Sequence, residues 1–550
     1  LWPKRGVEFI DLDGEDHMRH DWLRATCKLG FLPANGLLYM PPHQCFCYPG
    51  VKLSGFNALA GDSSSRHDAD APESRLVKGP AYGQIEAEAN DEADWPTFRH
   101  DAHRSGCAST ALGKELQPVW QAEIGGRPTQ PVVANGRLYV ACSDQHIVHC
   151  RRVDDGKACW RFTADGRIDS PPTVHEGMVL FGSTDGHVYC LRADDGELVW
   201  RFRAAPHECR IVAYEQLESV WPVHGSVLVQ DGVVYCAAGR SSYLDGGIYV
   251  YGLEPATGEV LHETCIEGPY PDPATDEGRP FDMDGTTSDV LVSDGEFLYM
   301  KQAMLDKTLN EQEAPRVTNM GDRKMGRHLL ATAGLLDDTW WNRTFWMYSE
   351  RWPGFYIAQQ APKSGQLLVF DDTNTYAIKC YTDRNRHSPM FFPGTDGYLL
   401  FADDNENEPV LVGEDGKPEP VAWLPEMHEA IGRSLDEQAV DKDKGVGFTR
   451  QAPPLWAEWI PMSVRAMVRS GDTLYIAGPP DVLDPDDPLA TFEGRIAGEM
   501  WTVDAATGEK LATLPLDATP VFDGMVAAQG RLFLSLNDGR LVCFGGNAGA

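Results

Sequence analysis

A repeat of about forty residues constrains this chain more than any other feature. Residues 131–162 superpose on residues 172–202: Val132, Asn135, Gly136 and Tyr139 align with Thr173, Glu176, Gly177 and Leu180, and Asp154-Asp155-Gly156 through Trp160 and Phe162 aligns with Asp194-Asp195-Gly196 through Trp200 and Phe202. The pattern returns at 227–262, with Asp231-Gly232 and Thr257-Gly258, and at 464–512, with Gly471-Asp472 and Thr507-Gly508-Glu509; weaker copies lie at 288–302, 365–381 and 519–545. Each unit holds three or four apolar runs separated by Asp-Gly, Asn-Gly or Thr-Gly, the turns that close tight hairpins. Such a four-stranded meander cannot bury both faces alone and must stack on copies of itself around an axis. The expectation is an all-β chain, a β-propeller of seven or eight four-stranded blades over 95–546, with eight favoured. The last copy is one strand short, and residues 119–124, ahead of the first full copy, are expected to supply it.

The stretch from Asn135 to Trp160, and above all Asp504 to Glu509, resembles the pyrroloquinoline-quinone-like repeat of quinoprotein alcohol dehydrogenases and of the outer-membrane assembly propeller lipoprotein. Trp95 to Gly106 looks like the segment that precedes the first blade in bacterial secreted members. The resemblance covers about four-fifths of the chain and is specific for fold, whereas function does not follow from fold. It implies a periplasmic or extracellular protein and a scaffold whose upper face binds a ligand or partner. In quinone-bearing members the cofactor stacks on a Trp beneath a disulfide between adjacent cysteines and is held with calcium. This chain has no Cys-Cys pair and no Cys-x-x-Cys-His haem signature, which argues against both PQQ and haem c. Trp160 and Trp200 fall where the repeat packs a ring between blades; the copies at His262 and Ala512 lose it.

Asp and Glu outnumber Lys and Arg by 82 to 48, a net charge of −34, so a polyanion would be repelled and nucleic-acid binding is excluded. No apolar stretch reaches the 18 residues or so of a membrane-spanning helix. The partner classes left are a protein or a carbohydrate-like ligand. Thirteen cysteines, an odd number without regular spacing, leave the redox compartment open. The first ten residues lack the features of a signal peptide, and the chain reads as a fragment or a processed form.

Outside the repeat, residues 1–60 read as a partial β segment, the tail of a truncated propeller part, because Leu32-Pro-Ala-Asn35-Gly36-Leu-Leu-Tyr39 repeats the blade grammar of 133–139. Residues 61–94 are polar and aperiodic, a linker or a long surface excursion. An insertion at about 304–351 breaks the pattern with basic and aromatic residues, and loops of this kind carry function.

Two constellations carry candidate chemistry. Cys27 with His43, Cys45 and Cys47 gathers thiolate and imidazole within about twenty residues; on a strand His43, Cys45 and Cys47 would share one face, a donor set suited to a thiolate-bound metal. The competing reading makes them core residues or a disulfide. Asp337, Asp338, Trp340, Trp341, Arg343, Trp346 and Tyr348 concentrate aromatic planes beside hydrogen-bonding charges, the composition of a ligand-binding platform, against a reading as core aromatics and a structural ion pair. His100 and His103, flanking Asp101, read as structural, and the calcium-loop look-alikes at Asp11 and Asp282 lack the twelfth-position Glu. No phosphate loop, nucleophile elbow or zinc-protease helix is present. The alternative function is an enzyme on the same propeller, either metal-dependent and redox-active or glycan-processing.

Overall fold

The computed structural model describes residues 6–14, 17–20, 22–23, 29–42, 53–61, 74–270, 285–288, 290–301, 303–312, 323–331, 334–335, 346–352, 363–379, 384–385, 388–389, 394, 397–408, 410–412, 418–420, 440–441, 446–447 and 452–546. Among these residues there is no α-helix. Eight sheets follow one another along the chain. Sheet A holds Val132–Ala134, Arg137–Cys142, Ile147–Arg152 and Ala158–Thr163; sheet B holds Thr173–His175, Met178–Gly182, His187–Arg192 and Leu198–Arg203; sheet C holds Leu228–Gln230, Val233–Ala238, Ile248–Leu253 and Val260–Ile266. Sheet D (Leu291–Ser293, Leu298–Met300, Ala303–Leu305) and sheet E (Arg323–Ala331, Trp346–Trp352, Ser364–Gly365) are three-stranded. Sheet F holds Leu367–Phe370, Asn374–Lys379, Tyr398–Asp404 and Trp456–Ile460, and sheet G holds Ala466–Ser470, Thr473–Gly478, Glu499–Asp504 and Lys510–Pro515. Sheet H holds Pro520–Ala528, Arg531–Leu536 and Arg540–Gly546, with Leu116–Glu123 as its fourth strand. The expected completion of the last unit is therefore observed. One core cluster joins Val133, Leu138 and Val140 of sheet A to Leu532, Leu534 and Phe544 of sheet H, so the first sheet and the last are neighbours.

The turns explain why the repeat folds this way. Asn135 and Gly136 both take positive φ (50° and 72°), as do Asp231 and Gly232 (51° and 76°), the mirror-image turn whose twist matches flanking strands. A bulge recurs at one place in the outer pairings of sheets A, B, C, G and H, after Cys150, Cys190, Gly252, Thr502 and Cys543. In three of these sheets the residue opposite the bulge is a tryptophan: Trp160, Trp200 and Trp120.

Those tryptophans lock neighbouring sheets together. The indole N–H of Trp120 donates to Val153 O (2.8 Å), that of Trp160 to Ala193 O (2.9 Å), that of Trp200 to Pro255 O (2.8 Å) and that of Trp456 to Ala505 O (2.8 Å). Each ring lies on a turn glycine of the next sheet: a Cβ on Gly156, Gly196, Gly258 or Gly508 would stand 2.5 to 2.7 Å from the ring. Trp200 is fully buried, while Trp160 is half-buried and keeps an edge in solvent. The expectation that both are buried between sheets is thus met in full by Trp200 and in part by Trp160.

The lead-in segment 95–107 does more than pack against the first sheet, which is where the repeat places it. It runs through the middle and touches every sheet. Trp95 exchanges backbone hydrogen bonds with Val133 of sheet A, Pro96 O accepts from Val174 of sheet B, and Ala102 O accepts from Ser293 of sheet D. Ser105 O accepts from Phe370 of sheet F and Gly106 O from Arg469 of sheet G. Arg104 Nε donates to Leu291 O (3.0 Å) and its Nη2 to Ser226 Oγ (3.0 Å), just before sheet C. Arg99 donates to Leu368 O, pairs with Asp523 of sheet H at 2.8 Å and stands 4.9 Å over the Trp346 ring of sheet E. The inner edges of sheets A, B, D, F and G present backbone groups to the axis, and this segment pairs with them.

Residues 74–94, part of the stretch read as a linker or a long surface excursion, are tied to the propeller: Leu76–Lys78 adds a fifth, antiparallel strand outside Leu198–Arg203, and Arg75 donates to Arg203 O, Ala204 O and Tyr251 Oη (3.0, 3.1 and 2.6 Å). A polar composition concealed a three-residue strand whose Leu76 enters the core between sheets B and C. In 1–60, Leu32–Ala34, Leu37–Met40 and Asn57–Ala60 form a three-stranded sheet turning at Asn35-Gly36 with φ of 54° and 75°. Val7, Leu23, Met40 and Leu53 form a small core against Leu244, and Trp22 stacks on Tyr243 with centroids 5.1 Å apart.

Candidate functional site

The axial segment leaves a pocket on the face reached by the loops after each second and fourth strand. Its volume is about 260 Å³, and Phe98, Gln130, Trp346, Phe522 and Asp523 are among the residues lining it. The floor is cross-linked by buried polar contacts. Gln130 Oε1 accepts from the Arg99 backbone N–H (2.8 Å) and its Nε2 donates to Asp523 O (2.6 Å), while Arg99 pairs with Asp523. Both side chains of that pair are nearly inaccessible, at 1% and 8%, so removal of either would strand a buried charge. Arg104, fully enclosed, is pulled down to about 9 by burial, partly countered by Asp101.

Asp169, at the pocket rim, leads to a buried ion cluster. Arg167 holds it with two bonds, Nε to Oδ1 at 2.7 Å and Nη2 to Oδ2 at 2.8 Å, and also approaches Glu218 Oε2 at 3.3 Å; Arg240 pairs with the other Glu218 oxygen. Two cations and two carboxylates neutralise each other. Burial raises the Glu218 carboxyl against the lowering pull of Arg240 and Arg167. For Arg167 burial acts to lower the pKa, but Asp169 and Glu218 prevail and it is raised.

The cluster anchors a hairpin, Arg210–Ala213 paired with Gln216–Ser219, that rises between sheets B and C. Tyr214 lies over Arg167, 4.6 Å from guanidinium to ring. Tyr214 and Glu215 form the turn with φ of 50° and 64°, positions that ordinarily take Asn-Gly, and the left-handed conformation costs about 1–2 kcal/mol at each. Above this anchored base the hairpin is apolar and open to solvent: Val212 is 74% exposed and Leu217 62%. Loop residues Val482, Leu483 and Leu489 are exposed and apolar too.

Of the aromatic constellation, Trp346 lines the pocket and Tyr348 stacks on Phe370 with centroids 3.9 Å apart. Asp337, Asp338, Trp340, Trp341 and Arg343 lie outside the described residues, as do Cys27, His43, Cys45 and Cys47. Among the described residues no cluster of His, Cys, Asp and Glu could hold a metal. His100 and Asp101 act locally, as the structural reading expects: His100 Nδ1 meets Asp101 at 3.2 Å, and Asp101 accepts from the Ser105 amide and hydroxyl. Sequence reasoning missed Arg99 and Arg104 entirely, since nothing in an isolated Arg announces burial. It also missed the hairpin, whose Ala-Tyr-Glu-Gln turn carries no turn signature. The one available signal was Ile211-Val212 in a segment between two repeat copies.

Residues 110–297 match the family described as "Outer membrane protein assembly factor BamB", and the repeat continues beyond them through sheet H. Over residues 110–297 the repeat is of the PQQ-like β-propeller type. No curated protein matches this propeller's sequence. Similar solved structures include quinohemoprotein alcohol dehydrogenase from Comamonas testosteroni, 14% identical over 83% of this chain and 81% of that one, TM-score 0.45. BamB from Moraxella catarrhalis is 12% identical over 79% and 99% of the two chains, TM-score 0.41. A europium-containing methanol dehydrogenase is 9% identical over 83% and 98%, TM-score 0.47. No described helix of the propeller is long and apolar enough to cross a membrane.

Proposed function

We propose that this propeller is a protein-docking scaffold of a bacterial periplasm or cell exterior, with the pocket-bearing face as its docking surface. The observation that carries the reading is the plugged axis. The chain fills its own centre with 95–107, and the pocket beside that segment, about 260 Å³, lies at the lower end of the ~300–1,000 Å³ of sites that enclose a whole small molecule. The charges around it are already paired with one another. What this face offers instead is exposed apolar area on an anchored hairpin and the loop at 482–489, the composition of an interaction site. The match of 110–297 to an assembly-factor family points the same way.

The test is a photo-crosslinking amino acid placed at Leu217 or Leu489 on this face and at Val119 on the outer rim, expressed in the native host. Protein adducts at the first two positions and none at the third are expected. Adducts confined to the rim would overturn the reading. Addition of quinone and calcium to the purified chain should give no alcohol-dependent dye reduction, because the adjacent-cysteine cap is missing.

A further inference from the structure

The hairpin at 210–219 has two unlike edges. Its Gln216–Ser219 strand faces the propeller: Ser219 N–H donates to Thr184 O (2.7 Å), Gln216 meets His146 Nε2 (2.7 Å), and Arg240 donates to Ser219 O (3.3 Å). The Arg210–Ala213 strand pairs with no other strand on its far side among the described residues. A two-residue turn makes Ala213 and Gln216 the hydrogen-bonded closing pair, so the pairs alternate from there. Val212 and Arg210 then direct their N–H and C=O groups outward from the hairpin. Val212 stands opposite Leu217 in the register, and both side chains are exposed, an apolar strip beside an unpaired backbone edge. Edges of this kind are normally blunted by shortness, charge, Pro or a bulge; this one is short and starts at Arg210, but it presents Ile211-Val212 with neither Pro nor bulge. The chain covers a comparable edge elsewhere, laying Leu76–Lys78 against Trp200–Phe202.

We propose that Arg210–Ala213 is the receiving edge for one extended segment of a partner polypeptide, which adds as a third strand and sets apolar side chains on Val212 and Leu217. The proposal rests on the docking reading above and names its contact. Charge decides the partner's character. At −34 a second copy of this chain is repelled, and a four-residue strand falls far short of the ~800 Å² per partner of a stable dimer. A segment of alternating apolar residues with basic flanks is attracted instead.

The experiment uses the full chain and a fluorescein-labelled peptide of alternating valine and threonine flanked by lysine pairs, read by anisotropy. Val212→Pro deletes an outward N–H without touching the hairpin's own bonds, the place where an edge strand tolerates Pro. Leu217→Asp removes the apolar strip and leaves the backbone intact. Each variant should keep the thermal midpoint of the parent and weaken the peptide at least tenfold. The same peptide N-methylated at alternate residues should fail to bind, and an acid-flanked version should bind more weakly at low salt. Wild-type affinity in both variants, no binding of the lysine-flanked peptide to the parent, or a parent dimer that Val212→Pro dissolves would each overturn the proposal. Crosslinks at Leu217 that persist with unchanged yield in the Val212→Pro chain would sink this edge and leave the docking reading standing; their absence from the whole face would sink that reading itself.

Discussion

At the scale of single residues, the turn glycines separate two physical effects. Gly136 and Gly196 share a positive φ, 72° and 76°, but a Cβ at Gly136 meets nothing within 4 Å whereas one at Gly196 stands 2.6 Å from the Trp160 ring. Gly136→Ala therefore costs only the backbone strain of about 1–2 kcal/mol, and Gly196→Ala adds displacement of an interlocking indole, for about 2 kcal/mol more. Equal denaturation midpoints for the two variants would refute the interlock. Truncating fully buried Trp200 to Ala should cost about 3–5 kcal/mol, and half-buried Trp160 less. His328 supplies a pH dependence. Burial holds its imidazole down at about 4, its Nδ1 lies 3.1 Å from Gly326 O, and its ring stacks on Tyr299 at 3.6 Å. Because the folded value lies below the ordinary 6.5, the neutral form is favoured: the stabilisation is complete above about pH 6.5 and is lost as pH falls toward about 4, some 3 kcal/mol in all. Thermal midpoints measured from pH 7.5 to 4 should fall less steeply in His328→Phe than in the parent.

At the scale of elements, the axial segment is held by two buried arginines rather than by regular pairing. Arg99→Ala leaves Asp523 buried and unpaired and should cost about 3–5 kcal/mol, whereas exchanging both partners for apolar residues of similar volume should recover much of that loss. Chemical denaturation of the single and double variants measures the difference, and additive losses would show that the pair is not coupled. The hairpin illustrates the opposite case. Its strands are short and its turn strained, yet it stands because Arg167, Asp169, Glu218 and Arg240 neutralise one another beneath it.

At the scale of the whole molecule, Leu116–Glu123 joins the two ends of the repeat by a pairing with Arg540–Gly546, and Trp120 then interlocks with sheet A as Trp160 does with sheet B. Closure thus uses the same contact as every internal junction that retains its tryptophan. Trp120→Ala should destabilise the chain about as much as Trp160→Ala and should broaden the unfolding transition, because it frees the first and last sheets from each other. Calorimetry reads both quantities; a broadening equal to that of the Trp160 variant would show that closure has no special weight. Alternation and turn chemistry made much of this architecture legible. The pairing of residues 119–124 with the last unit could be inferred because a four-stranded unit with three strands must find its fourth elsewhere.

What the sequence by itself determined is what is local and repeated: Asn-Gly and Asp-Gly turns, period-two strands, and a tryptophan that recurs opposite one bulge. These signals act within forty residues, so they survive without knowledge of the rest. Only the tertiary structure decided that Arg99 and Arg104 lie on the axis and between them reach sheets D, E, F and H and the residue just before sheet C, that Leu76–Lys78 is a strand, and that an unmarked hairpin carries the exposed apolar edge. Each of those depends on groups brought together from across the chain, Arg99 with Asp523 above all, and no pattern in neighbouring residues encodes a partner 424 positions away.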